Sequence, residues 1–291
     1  MTALEKNSPC KVNLLLNILG RRSDGFHELE TIFHPVHLWD RLTFTRCTAG
    51  VQLTCSNPAL PTDATNLVHR AATAFLATAQ LGAGVAIHLE KRVPLAAGLG
   101  GGSSNAASTL LGLNEMFGAP LTVAQLHTLA ATLGSDVNFF LQPHPALATG
   151  RGEQVESLPE FPALRGGAFL LIHPGFGIST AWAYQNLARF PAALNGQPGR
   201  ARQLISQLQT ADLESAGRHF YNSLEAPALE KYPVLALYQE FLREQGAAGA
   251  LMSGSGSTTF ALFKSPAQAE AAVEPFQAHF GRQAWTAVVP V

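Results

Sequence analysis

Apolar residues in this chain keep two different periods, and the change between them lays out its elements. Lys11 to Leu19 (KVNLLLNIL) is rich in β-compatible residues and stops at Gly20, which predicts a strand. The turn-like SDGFHE follows, with Asp24-Gly25 as its tight pair, and Leu29 to Thr45 reads as extended again. From Thr65 the spacing becomes helical. Leu67, Val68, Ala71, Ala72, Phe75 and Leu76 fall on one face, with Thr65 or Asn66 placed to cap the start. Gly84 to Val93 alternates as a strand does, and helices are predicted at Ser104–Phe117 and Thr122–Leu133, the second bounded by Thr122 and Gly134. Prolines and glycines break the periodicity between Pro143 and Gly167. Beyond them AFLLIHP reads as a strand, Ser179–Arg189 as a helix and PAALNGQPG as a loop. Helices follow at Gly199–Gln209 and Val234–Gln245. The chain closes with a strand (Ala248–Met252), the turn SGSG, a strand (Thr258–Phe263), a helix (Pro266–Phe280) and a strand (Ala284–Val289). That order suits an open sheet with helices on one face.

The richest chemistry lies between a predicted strand and a predicted helix, in PLAAGLGGGSS from Pro94 to Ser104. Gly98, Gly100, Gly101 and Gly102 remove side chains that would keep a bulky anion from the backbone. The helix start offers unpaired N–H groups and the positive end of a dipole, as a phosphate requires. The stretch is not a Walker loop, which needs Gly-Lys before Ser or Thr, and Ser103 stands where a dinucleotide fingerprint needs its third glycine. A tightly packed glycine turn is the plainer alternative.

Composition narrows the class. At 47% hydrophobic against 13% charged residues, the 291-residue chain has the material for a well-packed core and is long enough for two domains. A net charge of −1 with scattered basic residues gives no case for nucleic acid. No apolar run approaches a bilayer span, the N-terminus makes a poor signal peptide, and three cysteines are too few for a disulfide framework. A reduced cytoplasm fits. His34 and His37, three apart in a predicted strand, face opposite sides and read as structural or surface residues.

Two further segments join the glycine loop. In SPCKVNLLL, Lys11 and Asn13 share a strand face and either serve a polar cleft or mark an exposed strand end. In LMSGSGSTTFALF, Ser253 to Gly256 form either a hairpin turn or a second small-residue loop able to approach a ligand. Taken in order, PCKVNLLL, PLAAGLGGGSSNAA and SGSGST resemble the motifs of the GHMP kinases, small-molecule kinases, over nearly the whole chain. GRRSDGFHELETIF (Gly20 to Phe33) and LGSDVNFFL (Leu133 to Leu141) resemble the branch acting on 4-diphosphocytidyl-2-C-methyl-D-erythritol.

The resemblance implies an α+β two-domain GHMP kinase fold, with an N-terminal domain like domain 2 of ribosomal protein S5 (residues 1–155) and a ferredoxin-like C-terminal domain (156–291). It implies ATP as co-substrate, Mg²⁺ with it, and transfer of the γ-phosphoryl group to the 2-hydroxyl of that alcohol, with no nucleic acid, membrane or obligate protein partner. Lys11 and Asp136 are the implied catalytic pair, Asp136 accepting the hydroxyl proton and Lys11 stabilising charge. Asp136 also suits the N-cap of a helix over VNFFL. Pro94, Leu95, Ala96, Ala97, Gly98, Leu99, Gly100, Gly101, Gly102, Ser103 and Ser104 are expected around the ATP phosphates, with Asn66 and Lys91 nearer the adenosine. Phe26 and Tyr184 are expected on the faces of the cytosine ring and His27 at its edge, with Thr180 and Asn13 on polar groups of the substrate. Against the usual pattern, Cys10, Ala96, Ala97 and Asn138 are departures, and the alanines restrict the loop's backbone. A kinase of mevalonate, homoserine or a sugar shares the loop without the cytosine pocket, and a nucleotide-binding regulator keeps the fold without the chemistry.

Overall fold

The computed structural model describes residues 3–210 and 212–291. The chain divides into two units, each discontinuous in sequence. One comprises the segment ending at Cys10 with Leu38–Val93 and Gly100–Pro143; the other comprises Lys11–His37, Pro94–Leu99 and the remainder from His144. Two long strands, β1 (Leu4–Arg21) and β2 (His27–Cys47), contribute residues to both. The expected turn at Asp24-Gly25 lies between them, where Gly25 has φ +85°. The first residues of β1 alternate in burial, whereas Cys10 to Ile18 are buried without a break, the pattern of a strand covered on both faces.

In the first unit, β3 (Val51–Cys55) is joined through α1 (Leu67–Thr78) to β4 (Gly84–Glu90), which lies parallel to it, and β4 pairs antiparallel with Arg41–Cys47 of β2. Asn66, not Thr65, caps α1, its Oδ1 accepting from the Val68 amide at 2.9 Å. Helix α2 (Gly101–Met116) packs on α1 and on α3 (Val123–Leu133), and α3 starts with a capping box between Thr122 and Gln125. Gly112 lets α2 approach β2, since a Cβ there would lie 2.8 Å from the Phe44 ring. A 3₁₀ turn, Asn138–Leu141, packs against α2 and α3.

From His144 the second unit continues with a hairpin inside the stretch expected to be irregular, β5 (Ala146–Gly150) and β6 (Gln154–Ser157), with β5 antiparallel to Leu29–Phe33 of β2. A 3₁₀ turn at Pro162–Leu164 leads to β7 (Ala168–His173). Then come α4 (Thr180–Leu187), a single turn α5 (Pro191–Leu194) within the expected loop, α6 (Arg200–Thr210) and α7 (Leu213–Gly217). The two-residue strand β8 (Tyr221–Asn222) pairs parallel with Leu15 and Leu16 of β1 and leads into α8 (Glu225–Lys231). The closing elements, α9 (Val234–Glu244), β9 (Gly249–Met252), β10 (Thr259–Phe263), α10 (Pro266–Phe280) and β11 (Trp285–Pro290), fall close to their predicted ranges. With β7 they form an antiparallel sheet in the order β11-β7-β10-β9, on which α9 and α10 pack. Its core joins Leu170, Ile172, Ala261 and Phe263 of the strands to Leu235, Leu242, Ala272 and Phe276 of the helices. Among the described residues no helix is long and apolar enough to cross a membrane.

Candidate active site

The glycine loop passes from one unit to the other along the chain: Pro94–Leu99 belong to the second unit and Gly100–Ser104 to the first. Its backbone enters the left-handed region at alternate residues, Ala96 (φ +50°), Gly98 (φ +75°) and Gly100 (φ +70°). Ala96 accepts there a conformation that costs a residue with a Cβ about 1–2 kcal/mol. Helix α2 begins at Gly101, three residues before its predicted start, because a left-handed glycine rather than a polar side chain ends the loop. No acidic side chain stands in its first turn, and by helix geometry the amides of Gly101, Gly102 and Ser103 have no acceptor within the helix. The Ser104 amide bonds to the Gly100 carbonyl at 2.9 Å. Leu99 and Ala97 are buried anchors, whereas Gly102 is exposed. Such a turn can receive an anion through its backbone.

Ser104 itself points inward. Its Oγ accepts from Ser8 Oγ at 2.8 Å, Ser8 Oγ accepts from Asn105 Nδ2 at 2.8 Å, and Asn105 Nδ2 also donates to Asp40 Oδ2 at 2.9 Å. Asp40 is fully buried and takes the Lys91 ammonium together with the amides of Arg92 (2.7 Å) and Val93 (2.9 Å). Lys91, expected near the adenosine, forms a buried ion pair with Asp40 under the start of α2, its side chain 4% exposed. Asn66, the other residue expected there, caps α1 and donates from Nδ2 to the Pro61 carbonyl at 2.7 Å.

In the second unit, Lys11 and Asn13 lie on one face of β1, as period two requires. Both are 3% exposed, and the Lys11 ammonium donates to Asn13 Oδ1. That ammonium also donates to the Gly98 carbonyl at 2.9 Å and stands 5.3 Å from the centre of the Phe33 ring. Asn13 Nδ2 donates to Thr31 Oγ1 at 2.8 Å. The Ser253–Gly256 segment is the hairpin turn its sequence allowed. It joins the antiparallel strands β9 and β10, and it lies against the glycine loop. Ser253 Oγ donates to the same Gly98 carbonyl at 2.9 Å, and the Thr258 amide donates to the Ala97 carbonyl at 3.1 Å. The approach is close enough that a Cβ on Gly98 would sit 2.0 Å from the Ser253 carbonyl oxygen.

The base-reading candidates cluster at the ends of β1 and β2. His27 and Tyr184 face each other with ring centres 5.0 Å apart and planes inclined by 38°. Partial burial, and secondarily the Arg21 charge, hold the His27 imidazole below its ordinary pKa, so that it is neutral near pH 7 with one donor and one acceptor nitrogen. Phe26 is half exposed, and the Arg151 guanidinium, which no motif marks, lies 4.7 Å from its ring centre. Thr180 opens α4, with its Oγ1 2.9 Å from Ser255 Oγ, so it meets the SGSG segment. Asp136 is half buried in the turn that precedes the 3₁₀ segment, in the first unit. The N-cap position of that segment is Val137, one residue after Asp136, and brings no side-chain cap. Among the described residues no three His, Cys, Asp or Glu side chains converge as a metal cage.

A glycine-rich turn at a helix start, a buried lysine bonded to it and a second glycine segment laid against both are the features to set beside known proteins. The family model "GHMP kinases N terminal domain" matches residues 66–143, and "GHMP kinases C terminal" matches residues 204–282. The chain is 41% identical over 275 residues to 4-diphosphocytidyl-2-C-methyl-D-erythritol kinase of Synechococcus sp. (strain JA-3-3Ab), covering 93% of this chain and 88% of that one. It is 38% identical to the like-named kinase of Syntrophotalea carbinolica, over 98% of each. A crystal structure of 4-(cytidine 5'-diphospho)-2C-methyl-D-erythritol kinase superposes with a TM-score of 0.79 at 35% identity, covering 99% of this chain and 100% of that one. The chain belongs to the 4-diphosphocytidyl-2-C-methyl-D-erythritol kinase family of the GHMP kinases.

Proposed function

We propose that this protein transfers the γ-phosphoryl group of ATP to the 2-hydroxyl of 4-diphosphocytidyl-2-C-methyl-D-erythritol, giving the 2-phosphate and ADP for isoprenoid precursor synthesis in the cytoplasm. The observation that carries the reading is the buried Lys11 ammonium held 2.9 Å from the Gly98 carbonyl, a fixed cation at the start of a turn suited to phosphates. Phosphoryl transfer asks mainly for alignment and charge stabilisation. In this reading the loop from Pro94 to Ser104 receives the ATP phosphates, and Lys11 stabilises charge on the transferring group. Asp136 takes the proton of the 2-hydroxyl as the new oxygen–phosphorus bond forms and the bond to the ADP oxygen breaks. Asn13 and Thr180 contact polar groups of the alcohol. Neutral His27 exchanges hydrogen bonds with the cytosine edge, and Phe26 and Tyr184 supply its aromatic walls. Mg²⁺ accompanies ATP. When bound it would offset charge on the phosphate oxygens; among the described residues no group of three His, Cys, Asp or Glu side chains converges to hold it.

The test is ADP release from Mg-ATP with the cytidylated alcohol, beside methylerythritol phosphate, mevalonate and homoserine. Turnover with the cytidylated alcohol alone is expected, and turnover with mevalonate or homoserine instead would overturn the substrate. Asp136→Asn should retain the fold and lower kcat by about 100- to 10,000-fold. Full activity in that variant would remove Asp136 from the reaction.

A further inference from the structure

The segment Tyr221–Glu225, which runs from β8 into the first residue of α8, is tied to the elements that carry Lys11 and the SGSG turn. Its residue Asn222 pairs in β8 with Leu16 of β1, the strand that carries Lys11. Ser223 then donates its amide to the Leu16 carbonyl at 2.8 Å and accepts from the Ile18 amide at 2.9 Å through Oγ. From this anchored position Asn222 Nδ2 donates to two carbonyls of the SGSG segment's entry, Met252 (2.7 Å) and Gly254 (2.8 Å). Its Oδ1 accepts from the Leu224 amide at 2.9 Å, so the buried amide is bonded at both ends. Glu225 completes the hold. Its Oε1 accepts from the Met252 amide at 2.7 Å and from Gln239 Nε2 at 2.6 Å. Arg243 braces the arrangement by donating to Gln239 Oε1 (3.2 Å) and to the Ala250 carbonyl (2.7 Å).

Met252 is therefore gripped by both its N–H and its carbonyl. The next residue, Ser253, bonds the Gly98 carbonyl, which also accepts from Lys11. Gly254 sits with φ +56° and a virtual Cβ 3.2 Å from Lys11 Nζ. We propose that Asn222 and Glu225 are positioning residues for phosphoryl transfer: they clamp the Ser253–Gly256 segment onto Gly98 and thereby set the Lys11 ammonium. The proposal rests on the functional reading above. Packing alone does not call for these side chains, since a buried carboxyl and a buried amide are costly wherever apolar groups would fit. Their bonds into the SGSG segment converge on the backbone of Met252 and Gly254. Burial pushes Glu225 up to about 7 against the lowering pull of Met252, Gln239 and Arg243, a cost consistent with a placed group.

The experiment is steady-state kinetics with Mg-ATP and the cytidylated alcohol, on variants whose folding is checked by circular dichroism. Asn222→Asp keeps the acceptor for Leu224 and loses the donor to the loop. It should lower kcat on the order of 10- to 100-fold, the scale of a small misplacement in the site. KM for both substrates should move less than about threefold, the mark of an interaction used in the transition state. Glu225→Ala should behave alike, and Glu225→Gln, which restores the acceptor for Met252, should recover most of the loss. Should Asn222→Asp fail to fold, the Glu225 pair and Ser253→Ala carry the same comparison. Wild-type kcat in the folded variants, or a loss confined to KM, overturns the clamp while leaving the reaction in place. A wild-type protein with no turnover on this alcohol overturns the functional reading and the clamp with it.

Discussion

Asp40 and Lys91 show how much a single buried contact can settle. The carboxylate is fully buried, and it is bonded by two backbone amides, an asparagine and the Lys91 ammonium. Removing one member of such a pair leaves a buried charge facing nothing, at a typical cost of about 3–5 kcal/mol. Lys91→Met should fall near the lower end, because the amide bonds to Asp40 remain. Adding Asp40→Asn should recover part of the loss, since the stranded charge is then gone. Urea titration of both variants measures this. A loss under about 1 kcal/mol for Lys91→Met would mean that the ammonium is not needed to hold Asp40.

Among the elements, α2 carries the most compromise. Gly112 interrupts a helix, where alanine is ordinarily the better former by roughly 0.5–1 kcal/mol. Here the Phe44 ring occupies the place of the missing Cβ, 2.8 Å away and fully buried. Gly112→Ala should therefore destabilise the protein by about 1–3 kcal/mol, the cost of overpacking, despite its better helix propensity. A thermal melt that moves upward would show that the ring can yield. Elements bounded by side-chain caps were legible: Asn66 starts α1, Thr122 starts α3 and Ser265 starts α10, each accepting a backbone amide in its helix. The start of α2 was misplaced because its cap is a left-handed glycine without a side-chain signal. The β5–β6 hairpin was hidden because Gly150 and Gly152, both with positive φ, read as breaks when they are its turn. In the site, period two put Lys11 beside Asn13, and the glycine run announced the loop. Asn222, Glu225 and Arg151 act through partners far away in sequence or through one ring contact, and no local pattern marks them.

The protein's response to pH follows from two buried groups that oppose each other. His34 is enclosed against Phe161 and Phe169, and burial holds it at about 4. The unfolded chain protonates near 6.5, so this contribution is present above that pH and is lost as the pH falls toward 4. Glu225 runs the other way. Raised to about 7, it contributes most below its unfolded value of 4.5 and loses that as the pH rises through 7. Each is worth roughly 3 kcal/mol across its window. Between pH 4.5 and 6.5 their slopes cancel, and the wild type should show a nearly flat urea midpoint there. His34→Phe should unmask a decline with rising pH, and Glu225→Gln a rise. Parallel curves for all three proteins would refute the assignment.

The pairing of Leu15 with Tyr221 also bears on how the chain is made. Strand β1 lies between β2 and β8, and β2 leaves the ribosome soon after it. The partner for its other side is synthesised roughly 200 residues later, about 10–40 s at ordinary elongation rates. For that interval the nascent chain carries an apolar strand with one unpaired edge, the kind of surface on which strangers add strands. The two residues of β8, Ser223 after them and Gly196 arrive to close it. The segment that orders the loop in the finished enzyme is thus also the one that ends the exposure of its first strand.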